Sequence, residues 1–227
     1  MTDKTVDETL TEIIAERLVT DIVGGGIPPG TRLKFAELRQ RYGVGLSPLR
    51  EALFSLASQG FVETNSRRGF RVAAMSYEDL VDITTVRTMV ELAALRQSIT
   101  LGGDDWEDGI VSAFACLGRA VERARNQQDF DQTKLEPIHK RFHLSLTAAT
   151  RSPRLRSLQE TYYDQANRYR HVMARSLSNF EEFLDIHEQL MVPILARNAT
   201  MAAACLARHL NMTVLAVYPS VTDTTTP

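Results

Sequence analysis

Two histidines four residues apart, in Ile138-His-Lys-Arg-Phe-His-Leu144, are the residues of this 227-residue chain whose type and spacing first suggest chemistry. In a helix, positions i and i+4 share a face, so His139 and His143 project together and can grip one divalent ion. The zinc-protease form of that spacing needs a glutamate directly after the first histidine as general base, and Lys140 stands there instead. Glu136, His139, His143 and Thr147 form one stripe at helical spacing, beside an apolar stripe of Leu135, Ile138, Phe142, Leu146 and Ala149. His187 and His209 fall on the last two helical segments, and a bundle can bring four such side chains around one ion. The competing reading is that some of them make core or surface hydrogen bonds. His171 fits no pattern and reads as a surface residue. Four imidazoles suit zinc, nickel, copper or iron, with zinc favoured by abundance. Being neutral, they leave the cation's charge uncompensated, so an anion is drawn to any open position. Cys205, one turn before His209, reads as a small buried hydrophobe or a further ligand.

Arg87 lies four residues after Ile83 and three before Val90, in line with an inward stripe. It can pair with Glu91 at i+4, or its guanidinium can reach a cavity and bind a carboxylate through two hydrogen bonds. Arg168 and Tyr169, in NRYRH, are further candidates for that wall. A metal and a guanidinium in one helical cavity describe a pocket for a small carboxylate or dicarboxylate.

The elements that must hold these residues begin with a helix over about Asp7 to Val23, carrying Leu10, Ile13, Ile14, Leu18 and Ile22 at helical spacing. GGGIPPG ends it, because three glycines and two prolines cannot continue a helix. FAELRQRY predicts a short helix closed by Gly43, and Ser47-Pro48 predicts an N-cap followed by proline, opening LREALFSLASQ. Two β-prone runs, FVET and FRVAA, are joined by the turn NSRRG. Helix, helix, turn, helix, hairpin is the order of a winged helix-turn-helix over residues 7–75. The boundary falls at Ala74-Met75-Ser76, and residues 76–218 carry only helical signals. Helices are expected over 76–100, from Asp104 to about 128, over 130–149, from Ser152-Pro153 onward, and near 180–196 and 200–217. They form an antiparallel bundle, so the fold class is mainly α.

Composition narrows the class. A hydrophobic share of 44% and a charged share of 24% are ordinary for a globular protein. No uninterrupted apolar run approaches a membrane span, and the first residues lack a signal peptide's apolar core, so a cytoplasmic protein with no membrane partner is expected. Cys116 and Cys205 are far apart and read as reduced thiols. The net charge of -2 hides an asymmetry: between Thr31 and Arg71 eight basic residues face three acids, so the remainder carries -7. A basic head on an acidic body suggests polyanion binding. The first turn of the helix after Ser47 would face base edges in a major groove, where Arg50 presents a fork matching guanine O6 and N7. Ser47 and Arg39 join that surface, and Arg67, Arg68 and Gly69 at the wing tip suit phosphate or minor-groove contact.

YGVGLSPLREALFSLASQGFVETNSRRGFRVA resembles the winged-helix head of the GntR family of bacterial transcription regulators. The residues that follow resemble its FadR-type, all-helical FCD effector domain, from about Glu8 to Tyr218 overall. GVGLSPLREAL, RGFRVAAMS, GGDDWE and DQANRYR look most like the glutarate-pathway, carbon-starvation type of repressor. The resemblance implies a homodimer reading a palindromic operator in double-stranded DNA, released by a small effector. It also implies a metal site built from Asp-x-x-x-His on one helix and one histidine on each of two later helices. His143, His187 and His209 match that pattern, while His139 stands where the aspartate usually stands. Likewise Leu46 replaces an arginine that the family often carries before the recognition helix. The competing class is a metal-dependent hydrolase with an incidental winged helix. It lacks HExxH, a nucleophile elbow and a Ser/His/Asp set, so no enzyme is expected.

Overall fold

The computed structural model describes residues 9–65, 69–126, 134–173 and 179–219. Among them are nine helices and a three-stranded sheet. The chain divides into two compact units: Met1–Ser76 with Asn167–Val172, and Tyr77–Ala166 with Met173–Pro227.

In the first unit, α1 (Leu10–Val23) opens on a capping box in which Thr9 and Glu12 exchange hydrogen bonds. Two backbone N–H groups at the helix start are thereby satisfied. The expected start at Asp7 lies outside the described residues. Ile14, Leu18 and Ile22 are buried, whereas Leu10 and Ile13 stay exposed. β1 (Arg32–Leu33) leads into α2 (Phe35–Tyr42), which ends at Gly43 with φ 67°, a left-handed turn that favours glycine. α3 (Leu46–Ser58) follows, so α2, the turn and α3 form the helix-turn-helix. The Tyr42 hydroxyl donates to Asp21 at 2.5 Å and Arg41 pairs with the same carboxylate at 2.9 Å, tying α2 to α1. β2 (Val62–Asn65) and β3 (Gly69–Val72) make the wing, and β1 adds to the other edge of β3, giving the antiparallel order β1-β3-β2. The third strand has two residues, too few to show a period of two in the sequence. The N-cap of α3 is Gly45, with no side-chain cap bond, so Ser47 lies inside the first turn and not at the cap. Proline's fixed φ suits either register of that turn.

The second unit holds α4 (Tyr77–Leu101), α5 (Asp104–Asn126), α6 (Glu136–Leu146), most of α7 (Pro153–Met173), α8 (Phe180–Leu195) and α9 (Ala199–Val217). Its core gathers Leu95, Trp106, Ile110, Leu117, Phe142, Leu146, Leu190, Ile194, Leu206 and Leu210. α6 is shorter than the 130–149 segment expected, and residues 127–133 lie outside the described set. Ser152 caps α7 by accepting from the Leu155 N–H at 3.2 Å. Between α8 and α9, Arg197 sits at φ 55° and its guanidinium donates to the carbonyls of Ile99 and Gly102 and to Glu107. That side chain satisfies carbonyls at the end of α4 and stacks on Trp106, whose indole N–H donates to the Ser145 carbonyl on α6. A Cβ at Gly102 would lie 2.2 Å from the Trp106 ring, so the close approach demands glycine. These contacts fix the ends of α4, α6 and α8, and thereby the axial position of the histidines on α6 and α8.

α9 is long and apolar enough by composition to cross a membrane, though Arg208, His209 and Asn211 interrupt its apolar run. It buries Ala202, Leu206, Leu210, Val214 and Val217 along one face, while Met201 and Leu215 are exposed.

Candidate functional site

The first unit presents its polar surface on α3. Leu46, Ser47 and Arg50 are exposed along the first turn and a half, and the Arg50 guanidinium lies 5.6 Å over the Phe35 ring. Stacking on a ring limits the rotamers of a long side chain, which lowers the entropy lost when it meets a base. Arg39 is exposed on α2. Gly69 opens β3 at φ 79°, a conformation strained for any L side chain, so the wing's return needs glycine there. Arg67 and Arg68 lie outside the described residues.

In the second unit the four histidines meet. The ligand nitrogens of His139, His143, His187 and His209 lie within 4.8 Å of one another. Nε2 of His139 is 2.8 Å from Nε2 of His187 and 3.0 Å from that of His143, and His209 Nε2 is 3.2 Å from that of His143. His139 and His143 come from α6, one turn apart; His187 comes from α8 and His209 from α9. The first three are buried and His209 half-buried.

The far nitrogens say which tautomers are present. Nδ1 of His187 lies 2.5 Å from the Phe183 carbonyl, which can only accept, so that Nδ1 carries the proton and Nε2 is a lone pair. The Tyr163 hydroxyl donates to Glu136 Oε1 at 2.7 Å, which leaves its oxygen to accept from His139 Nδ1 at 3.1 Å. His139 Nε2 is then a lone pair as well. Two lone pairs facing each other at 2.8 Å repel unless a cation lies between them. His143 Nδ1 is buried with no hydrogen-bond partner among the described residues. Burial first, then the neighbouring His139, His209, Arg87 and His187, hold the His143 imidazole well below its ordinary 6.5. It is neutral at physiological pH, the form in which imidazole ligates a metal. The neutral His143 ring and the converging lone pairs of His139 and His187 fit a divalent cation.

Arg87 is 2% exposed and forms the i+4 pair with Glu91, Nε to Oε1 at 2.6 Å. Its guanidinium also lies 4.8 Å over the Tyr163 ring. The pair leaves one terminal nitrogen, Nη2, buried without a hydrogen bond among the described residues. The salt-bridge and anion-anchor readings of Arg87 are therefore compatible: Nε is spent and Nη2 is free to bind an acceptor. Arg168 and Tyr169 have a different setting from the effector wall expected of them. Arg168 donates to the carbonyls of Ala73 and Ala74 at 3.4 and 3.3 Å, and the Tyr169 hydroxyl accepts from the Ser76 N–H at 3.0 Å. Both thus hold the chain where the wing ends, within the first unit. His171 is exposed, as expected, and Cys205 packs partly buried against the core. Two open grooves, on the α4–α9 and α8–α9 seams, are lined by none of the four histidines.

Sequence reasoning missed Tyr163, the aromatic hub beneath both His139 and Arg87. Its distance in sequence from both gave no periodic signal. The fact that it is an amphipathic tyrosine fully buried on a polar helix is visible only in the fold.

A winged helix-turn-helix joined to a helical unit with a buried nitrogen-donor cluster defines a ligand-responsive transcription regulator. Residues 10–72 match the family described as bacterial regulatory proteins, gntR family, and residues 82–212 match the FCD domain. The chain belongs to the GntR family, with an FCD effector domain. It is 31% identical over 207 residues to the HTH-type transcriptional repressor GlaR of Escherichia coli (strain K12), covering 89% of this chain and 93% of the relative. It is 32% identical to the HTH-type transcriptional regulator BphR of Paraburkholderia xenovorans (strain LB400), covering 92% and 85%. Among solved structures, E. coli McbR/YncC shares the fold with TM-score 0.77 at 20% identity, over 94% of this chain and 99% of that one. A GntR-family regulator from Pseudomonas syringae pv. tomato str. DC3000 is 30% identical, with TM-score 0.52, over 94% and 88%. The chain is thus a DNA-binding transcription regulator, and its relatives are regulators and repressors.

Proposed function

We propose that this regulator is a homodimeric repressor whose bundle binds a small carboxylate or dicarboxylate at a metal ion, and that the acid releases it from a palindromic operator. The observation that carries the reading is the set of four histidine ligand nitrogens within 4.8 Å of one another, with the buried, unpartnered Nη2 of Arg87. His139, His143, His187 and His209 would hold a divalent ion, zinc first and nickel, copper or iron otherwise. The ion would supply a positive centre for an acid's oxygen. Arg87 Nη2 gives the acid a second, directional contact, and the Tyr163 ring beneath the guanidinium keeps that nitrogen in place. Arg50, Ser47 and Arg39 face DNA from α3 and α2, with Arg67, Arg68 and Gly69 at the wing. The carboxylates that adjoin the cluster are engaged, Glu91 by Arg87 and Glu136 by Tyr163, which favours sensing over hydrolysis.

Elemental analysis of protein purified without chelator, followed by calorimetry with small dicarboxylates before and after chelation, tests the reading. The acid should bind metal-loaded protein and fail to bind stripped protein or His187→Ala. Stripped protein should still retain operator DNA but no longer release it on adding acid. Equal acid affinity with and without metal would remove the shared site and leave Arg87 as the sole anchor.

A further inference from the structure

The donor set contains no carboxylate, yet a carboxylate is wired to it. Glu136 Oε1 accepts from the Tyr163 hydroxyl at 2.7 Å, and the same hydroxyl oxygen accepts from His139 Nδ1 at 3.1 Å. Glu136 Oε2 lies a further 3.7 Å from that Nδ1, on the side away from the converging Nε2 atoms. Tyr163 is fully buried, and Glu136 is only 28% exposed. A carboxylate in this position cannot be a ligand, but it can act on one. Negative charge behind an imidazole strengthens its N–H bond partner, fixes the ring's tautomer and orientation, and makes the opposite nitrogen a better donor.

We propose that Glu136, acting through the Tyr163 hydroxyl, is the positioning and charge-compensating group of the metal site. It stands in for the carboxylate that the four-imidazole set lacks. This proposal rests on the metal reading given above and deepens it: the relay sets how tightly the four histidines hold their ion. The relay is unsymmetrical. His187 Nδ1 is backed by the Phe183 carbonyl and His143 Nδ1 has no hydrogen-bond partner among the described residues, whereas His139 has an acid in its support. His139 is also central to the cluster, its Nε2 within 3.0 Å of two other Nε2 atoms, so its donor strength acts where the ion would sit.

The geometry supplies its own control. Lys140 and Asp164, one position along from His139 and Tyr163, form a part-buried pair across the same two helices, α6 and α7, at 2.7 Å. Asp164→Asn disturbs the α6–α7 contact while leaving the groups of Glu136, Tyr163 and His139 themselves unchanged, although its partner Lys140 also lies 5.8 Å over the Tyr163 ring. Tyr163→Phe keeps the ring beneath Arg87 and deletes only the hydroxyl, and Glu136→Gln keeps the shape and removes the charge.

The experiment is a zinc titration of each full-length variant against a chromophoric chelator, with the visible spectrum of the cobalt(II)-loaded protein as a second readout. Glu136→Gln and Tyr163→Phe should each weaken zinc by about 10–100-fold. The double variant should be no weaker than the worse single variant, because both cut one chain. Both should shift the cobalt ligand-field bands, since the donor strength of one imidazole has changed, while Asp164→Asn leaves affinity and bands at wild type. Wild-type zinc affinity in Glu136→Gln and Tyr163→Phe would overturn the relay while leaving the metal site intact. An equal loss in Asp164→Asn, with unshifted bands, would reduce it to helix packing. Absence of zinc and cobalt binding in the wild type would overturn both the relay and the metal reading.

Discussion

The winged-helix segment and the bundle bury different things, although the first unit also takes in the buried Asn167 and Arg168 of α7. In the winged head, every buried described residue from Ile14 to Val72 is apolar. The bundle buries Arg87, Glu91, His139, His143, His187, Gln159 and several hydroxyls among its leucines. A head that reads DNA keeps its chemistry outside, where Arg39, Ser47 and Arg50 are exposed, and can fill its interior with whatever packs best. A bundle that takes in a small ligand must carry polar groups inside, where each one costs free energy unless it finds a partner. The tyrosine and glutamine contacts around the histidines answer that cost: Tyr163 serves Glu136 and His139, and Gln159 accepts from Thr147 at 2.5 Å. Stability and function are therefore separable in the head and entangled in the bundle.

The largest test of that contrast is Glu91→Ala. It leaves the Arg87 guanidinium, 3% exposed, without its counter-charge and should destabilise the bundle by about 3–5 kcal/mol in a denaturant titration. Adding Arg87→Met should recover part of the loss, because no buried charge is then left unpaired, while acid binding should be lost with the guanidinium. If Glu91→Ala unfolded like wild type, the buried Arg87–Glu91 pair would contribute nothing to the stability of the bundle. In the head, Arg50→Ala should do the reverse. The fold should be unchanged, because the side chain is exposed, while operator affinity at fixed salt should fall by about 1–3 kcal/mol. Operator binding like wild type would remove Arg50 from the base-reading set.

The same contrast explains what the sequence discloses. The head is legible because its signals are local. Glycines end α2 and shape the wing, proline opens α3, and the order of elements alone defines the winged helix. Its misreadings are also local: Gly45 takes the N-cap expected of Ser47, and the two-residue β1 is too short to leave a pattern. In the bundle, His139 and His143 are legible as an i, i+4 pair, and Arg87 with Glu91 likewise. His187 and His209 join them through the family's pattern and not through any spacing of their own. Tyr163 is not legible at all, since it meets Glu136 and His139 from 27 and 24 residues away. The contacts of Arg168 and Tyr169 are illegible for the same reason, their partners Ala73, Ala74 and Ser76 lying more than 90 residues upstream. Periodicity reports which face of a helix turns inward; it is silent on which distant chain meets that face.

The smallest expected effect concerns pH, and it too separates the units. The chain has no histidine before His139, and the first unit's one histidine, His171, is exposed, so the head's core and its α3 surface carry none. In the bundle, His143 is held well below its ordinary value of 6.5, with burial the leading cause. A histidine depressed in the folded state stays neutral there while its unfolded counterpart takes up a proton. Stability is therefore fully present above about pH 6.5 and is lost as pH falls below it, towards the folded value. The loss approaches about 1.4 kcal/mol per pH unit for one proton. Bound metal acts in the same direction, since protons compete with it for imidazole. Metal-stripped protein should thus show a bundle transition that moves to lower temperature between about pH 6.5 and 5. His143→Gln should flatten that dependence without moving the head's transition. A metal-free bundle whose melting is independent of pH across that window would mean that His143 is protonated in the fold. The neutral, ion-ready cluster would then have to be given up.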